Sequence, residues 1–196
     1  MSDKIREVNT MAEQQTTHML NGFNLDALHE TAHAIEQDPE LARCMFRAKN
    51  KWFNGDHNRS IVDGFYGAKQ EIEHKHPFEI HCGEPPIVGG NDNAPNPAEH
   101  LLNALAGCIT TGIVAHAALR GIQIEELESE VEGDLDMRGF LGLDESAPKE
   151  LTEIRVRFKV KADPKNLEQL RELIGYSPVL GTLTRGTHVD VQLESK

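Results

Sequence analysis

The chain has 196 residues, 38% of them hydrophobic, which is enough for one globular domain with a real core plus an extension. Asp and Glu number 32 against 20 Lys and Arg, a formal charge of −12, and the basic residues are scattered, so no groove for nucleic acid is expected. Cys44, Cys82 and Cys108 stand far apart without CxxC spacing, which excludes a disulfide scaffold and reads as free thiols.

The opening "MSDKIREVNTMAEQQTTHML" has neither the basic start nor the apolar core of a secretory signal, so a cytoplasmic location is expected. The first 22 residues are polar and predict loose order. Asn24 is a good N-cap, and Leu25, Leu28, Ala32 and Ile35 recur at helical spacing after it. Asp38, with Pro39 at the first helical position, predicts a second helix over "DPELARCMFRA". Residues 1–45 therefore read as a helical extension, partly disordered, and 46–196 as the main domain.

From Lys49 the pattern changes to short apolar segments broken by turn residues: "KWF", a turn "NGDHNRS", "SIVDGFYG" and "PFEIHCGEPP". In the last, Phe78, Ile80 and Cys82 alternate with Glu79 and His81, as in a strand with one buried face. The loop "GEPPIVGGNDNAPNP" then leads into a helix opening near Pro97.

That helix runs to Arg120 and would be about 36 Å long. Its length raises the question of a membrane span, but Asn103, Thr110, Thr111 and His116 interrupt the apolar run, so a buried core helix and no membrane partner are expected. Being apolar nearly all round, it needs cover on more than one side, and a second protomer is expected to supply part of it. Beyond it, "GIQIEELESEVEGDLDMRG" predicts a long irregular strand and "LGLDESAPKE" a turn. "LTEIRVRFKVKAD" is a strand with Ile154, Val156, Phe158 and Val160 on one face. "PKNLEQLRELIG" predicts a helix, and "HVDVQLE" a closing strand. The order of elements points to an α+β fold of antiparallel sheet packed on helices.

Small residues surround Cys108 on the central helix: Ala104, Thr111 and Gly112 lie three or four positions away, with Leu105. One reading is a small buried hydrophobe; the other is a reactive thiol, which must be a thiolate and needs a nearby positive charge. The helix N-terminus is too far for its dipole to help, and His116 stands about 12 Å further along. Any activating charge must come from another element, such as an arginine in the loops of the first half.

The block "PNPAEHLLNALAGCITTGIVAHAALRGIQIEELESEVEGDLDMRG" resembles the centre of the OsmC/Ohr family of osmotically inducible and organic hydroperoxide resistance proteins. The likeness lies in the Asn-Pro entry, the Gly-Cys pair, the Gly-Ile exit and the Gly-Asp-Leu-Asp strand, and it extends more weakly from about Lys49 to Leu193. It implies an intertwined homodimer, antiparallel sheets around a long central helix, and interfacial sites built from a cysteine, an arginine and a glutamate. In active members the helix cysteine attacks an organic hydroperoxide, and a second cysteine before a proline resolves the product as a disulfide.

Cys108 matches the first cysteine, whereas Ser177 stands where the resolving one would be; this departure removes the internal resolving step and leaves Cys82 or an external thiol reductant to take its place, with Cys82 more simply read as filling its strand's buried face. The family's helix-opening glutamate falls on Ala98, with Glu99 one residue, about 100°, later. Arg59 is the candidate arginine and Glu84 its candidate partner. A non-enzymatic member binding a small apolar ligand is the competing reading. His74, His76, His81 and Cys82 cluster in sequence without the spacing of a helical metal site, so neither metal nor cofactor is expected.

Overall fold

The computed structural model describes residues 17–195. Most of the segment expected to be loosely ordered lies outside those residues, but its end is built. β1 (Met19–Leu20) pairs antiparallel with β2 (Phe23–Asn24) around Asn21 and Gly22, both at positive φ. An Asn-Gly pair between apolar residues is the signature of such a two-residue turn. The Asn21 side chain donates to the carbonyl of Ile122 (2.9 Å) and accepts from the amide of Ile124 (3.0 Å), so this hairpin is tied to the far side of the domain.

α1 (Leu25–Gln37) begins where the N-cap predicts, with Asn24 accepting from the amide of Ala27. The second expected helix is cut short. Asp38 and Pro39 start only one 3-10 turn, Pro39–Ala42, and the chain then extends into β3 (Met45–Phe46), where Phe46 is in register with Phe65 and meets its ring at 5.3 Å. Cross-strand aromatic pairing has overridden the local helical preference.

β4 (Lys49–Asn54), β5 (His57–Gly67) and β6 (Gln70–Cys82) form an antiparallel meander with β3 on one side. Two expectations change here. Residues 57–60, read as a turn, are paired in strand β5, and β6 begins at Gln70 and spans His74 and His76, which fall at an irregularity in its pairing with β5. The β5–β6 turn is Ala68–Lys69, both at positive φ, and carries none of the Gly or Asn that usually announce it. The face expected to be buried is open in a single chain: Phe78 is 57% exposed.

α2 (Pro97–Leu119) is the central helix. It is long and apolar enough to cross a membrane, yet its stripe Leu105, Ile109, Ile113 and Ala117 packs as protein core. That stripe meets the inner face of a second sheet, β7 (Ile124–Asp134) with β8 (Glu153–Ala162), through Leu127, Val131, Val156 and Phe158. α4 (Leu167–Glu172) and the 3-10 turn after it add Leu170 and Leu173. Outer positions of the same hairpin set Glu128, Glu130 and Glu132 opposite Lys159, Arg157 and Arg155.

The loop between β7 and β8 carries a short helix, α3 (Met137–Phe140). α5 (Pro178–Arg185) follows α4, capped by Ser177 with Pro178 in first position, a start signal that the sequence carries openly. The expected closing strand at 188–194 is not formed. Its alternating side chains Val189, Val191 and Leu193 stand in solvent, and Leu193 is 99% exposed. A strand needs a neighbour for its backbone groups, and a single chain offers this one none.

Candidate functional site

Cys108 is the middle residue of α2, half-buried and free. Gly112, one turn further on, faces the start of α5: a Cβ placed there would meet the Tyr176 carbonyl carbon at 3.9 Å and the Ser177 nitrogen at 4.0 Å. Ser177 is thus packed against the helix face that carries Cys108. It is itself 3% exposed, and its Oγ accepts from the amide of Leu180. A hydroxyl fixed as a helix cap, and unable to form a disulfide, occupies this place.

His116 belongs to a different group. Its ring stacks on Tyr176 with centroids 3.8 Å apart, while Arg120 donates to the Tyr176 hydroxyl at 3.2 Å and lies over the same ring. Burial, and then the Arg120 charge, hold the His116 pKa below its ordinary value, so the imidazole stays neutral and packs as an aromatic.

The other expected site residues gather at the opposite end of α2. Glu99 and Asn96 close a capping box: the Asn96 side chain accepts from the Glu99 amide and the Glu99 carboxylate accepts from the Asn96 amide, both at 2.8 Å. The carboxylate thereby satisfies a helix-end donor and complements the helix dipole. Arg59 pairs with neither Glu84 nor Glu99. It donates to Glu79 at 3.2 Å and lies 5.1 Å from the centre of the Phe53 ring.

Arg59 is in register with His81, whose carbonyl is 2.8 Å from His100 Nε2 in the first turns of α2. From His100 to Cys108 is about 12 Å of helical rise. These contacts place Arg59 near the N-terminal end of α2, away from the thiol.

No motif marks Glu79 or His57, and His81 stands out in the sequence only as part of the His74, His76, His81 and Cys82 cluster. Phe53 stacks on His57, and His57 Nε2 lies 3.1 Å from His81 Nδ1, which forms a short aromatic stack on the meander. Strand pairing alone creates this group, since His57 and His81 are 24 residues apart. Among the described residues, no group of three His, Cys, Asp or Glu side chains is placed to hold a metal.

A cavity of about 360 Å³ opens at the N-terminal end of α2, and both Ala98 and Glu84 line it. Its walls are two loops held in fixed shapes. In the first, Asp56 accepts from the amides of Glu84 (2.9 Å) and Asn91 (3.2 Å), which hold its carboxyl below the usual range, and a Cβ at Gly90 would overlap the Glu84 carbonyl. In the second, Asp136 caps α3 and pairs with Arg138, which also reaches Asp144 at 3.2 Å.

Antiparallel sheets, a long central helix and a cysteine on that helix define a class of α+β proteins built around a buried thiol-bearing helix. Residues 89–192 match the family model of OsmC-like proteins, and the chain belongs to that family. No curated protein sequence matches the chain closely.

Among solved structures, the fold is similar to an osmotic stress induced and detoxification response protein from Psychrobacter arcticus 273-4. That match has a TM-score of 0.53 and 18% identity, covering 70% of this chain and 88% of the other. An OsmC-like protein from Mycoplasma pneumoniae gives a TM-score of 0.54 and 15% identity, covering 71% and 87%. An OsmC-like protein of unknown function from Vibrio cholerae gives a TM-score of 0.53 and 13% identity, covering 70% and 92%.

Proposed function

We propose that this protein is a thiol-dependent peroxidase for organic hydroperoxides, active as a cytoplasmic homodimer and reduced by an external thiol. The observation that carries the reading is the position of Cys108, a free, half-buried thiol on the central helix with small residues beside it. The Cys108 thiolate attacks one peroxide oxygen; the O–O bond breaks, an S–O bond forms, and the departing alkoxide takes a proton to leave as an alcohol. The resulting sulfenic acid condenses with one external thiol, releasing water and leaving a mixed disulfide. A second thiol then exchanges onto that disulfide and frees Cys108. Ser177 supports the external route, because a capping hydroxyl takes the place of an internal resolving thiol.

Two features support the homodimer. The meander exposes Trp52, Phe78 and Ile80, whose partners Asn58, Val62 and Ser60 alternate along β5 and so share one face, an apolar surface that isolated sheets do not leave in water. The free strand-like segment 187–195 needs a neighbour. Within one chain Arg59 lies away from Cys108, so the charge a thiolate requires is left for the second protomer to supply.

One observation favours a second reading, non-enzymatic binding of a small apolar ligand: the cavity at the start of α2 carries Ala98 where an active site of this family is expected to carry a carboxylate.

The test is to mix reduced protein with cumene hydroperoxide and follow Cys108 by dimedone trapping and mass spectrometry. Capture of a Cys108 sulfenate much faster than with free glutathione is the expected result. Oxidation at the rate of the free thiol ends the peroxidase reading.

A further inference from the structure

We propose that α1 carries a binding site for a divalent zinc-type ion, anchored by His29 and His33 with Glu36 as the third protein ligand. The site is independent of the thiol chemistry and of the cavity at the start of α2. It lies in the extension, outside the residues 89–192 that match the family model.

The sequence of α1 contains "HETAH", residues 29 to 33. Two histidines four positions apart on a helix project from successive turns of one face with their Cβ atoms about 5–6 Å apart, a separation from which two imidazoles reach one ion. The pattern has this meaning only if the segment is helical. α1 runs from Leu25 to Gln37 behind its Asn24 cap, so the condition is met. His29 and His33 therefore have the helical spacing that His74, His76 and His81 lack.

Glu36 follows His33 by three positions, and its Oε2 lies 3.8 Å from His33 Nδ1. Two donor atoms on one tetrahedral zinc, each about 2.0–2.1 Å from the ion, stand about 3.3 Å apart, so a small rotation brings the carboxylate in. At 100° per residue the three side chains fall within an arc of about 60°. They do not converge on one point beforehand, and the His33 and Glu36 side chains are 73% and 74% exposed, so they are free to turn. Leu25, Leu28 and Ile35, half-buried on the adjoining stripe, set α1 against the domain and leave this flank in solvent.

The surroundings favour a cation. α1 contains Asp26, Glu30 and Glu36 and neither Lys nor Arg. Asp26, one turn before His29, accepts from the amide of His18 at 3.0 Å; the His18 contacts, and in smaller part His29, hold its carboxyl below the usual range, so it stays charged beside the site. Two imidazoles and one carboxylate suit zinc, with water in the fourth place, whereas magnesium and calcium take oxygen donors. The helix is held at both ends, by the Asn21 bonds to Ile122 and Ile124 before it and by the Asp38–Lys69 pair after it. An ion bridging two of its turns adds its binding energy to the stability of the folded extension.

The test uses the full-length protein without a histidine tag, stripped with EDTA and titrated with zinc chloride by calorimetry. Saturable binding is expected, undisturbed by a large excess of magnesium. His29→Ala and His33→Ala should each weaken it at least tenfold and Glu36→Gln about threefold, with unchanged circular dichroism. Adding Ala34→His to His33→Ala restores the number of histidines but turns the second imidazole about 100° round the helix, and should not restore binding. Zinc should raise the thermal midpoint of the unsubstituted protein and raise that of His33→Ala less.

Absence of saturable binding overturns the site. An isotherm unaltered by His33→Ala overturns it too, by placing the ion elsewhere, and recovery with Ala34→His reduces it to general histidine content. Displacement by magnesium replaces the imidazoles with the acidic side chains as the binding groups and also overturns it. His33→Ala should leave sulfenate capture at Cys108 unchanged, so the outcome is read separately from the peroxidase reading.

Discussion

Between Leu105 and Leu173 the chain buries nine hydrophobic residues, and every one of the core side chains falls in that interval. The meander of β4 to β6 is also extensively paired and carries Trp52, Phe53, Phe78 and Ile80, yet none of these is buried. Both regions are extensively paired despite register shifts, at Trp52/Asn54 and Val62/Gly64 in the meander and Ile124/Glu126 in the hairpin, so pairing is not what separates them. In the second half α2 lies across the β7–β8 hairpin and excludes water from one of its faces; the meander has no such cover within one chain. A sheet of a few strands gains most of its stability from the face it buries, and its ladder alone leaves it marginal.

This contrast can be broken most severely at Leu105. Its truncation, Leu105→Ala, should cost about 2–5 kcal/mol in chemical denaturation, because the cavity it leaves is closed on all sides. Next comes the meander. Trp52→Glu and Phe78→Glu should have little effect on a monomer but should halve the mass seen by light scattering from a homodimer. A mass unchanged at the monomer value in the unsubstituted protein removes the proposed cover.

A smaller effect should come from His116. Its pKa is lowered in the folded chain, so the unfolded chain binds the proton more readily, and stability is whole above about pH 6.5 and declines as pH falls through the folded value. His116→Gln should flatten urea-denaturation midpoints between pH 7 and 5. Smallest is the outer ladder of β7–β8: Arg155 pairs with Asp134 at 2.6 Å on the solvent side of the hairpin and is partly exposed, so Arg155→Ala should cost about 1 kcal/mol or less, and less again in high salt.

Much of the covered half was legible in advance because its patterns are long and strongly periodic. α2, β7, β8 and the Leu170–Leu173 face follow from apolar spacing alone. The capping role of Asn96 and Glu99 is a local event within one turn, and the family likeness rests on the same stretch. The meander was read less well. Its β5–β6 turn lacks Gly and Asn, and the helical tendency of "DPELARCMFRA" gave way to pairing with β5. Asn21-Gly22 is a local turn signal and Ser177-Pro178 a local helix-start signal, both carried openly by residue type. For the candidate site, position on the helix was visible for Cys108, while the partner of Arg59 was not, since Glu79 reaches it only through the register of β5 and β6.

By itself the sequence determined the central helix, the amphipathic hairpin that packs on it and the absence of a cysteine at position 177, all of which depend on residue type and short-range periodicity. Tertiary structure alone decided that Arg59 goes to Glu79, that Ser177 is spent as a helix cap against Gly112, and that Ala98 opens onto a cavity between two loops. The first two join residues 20 and 65 positions apart, and no local preference encodes which distant groups the strand register and the loop closures bring together.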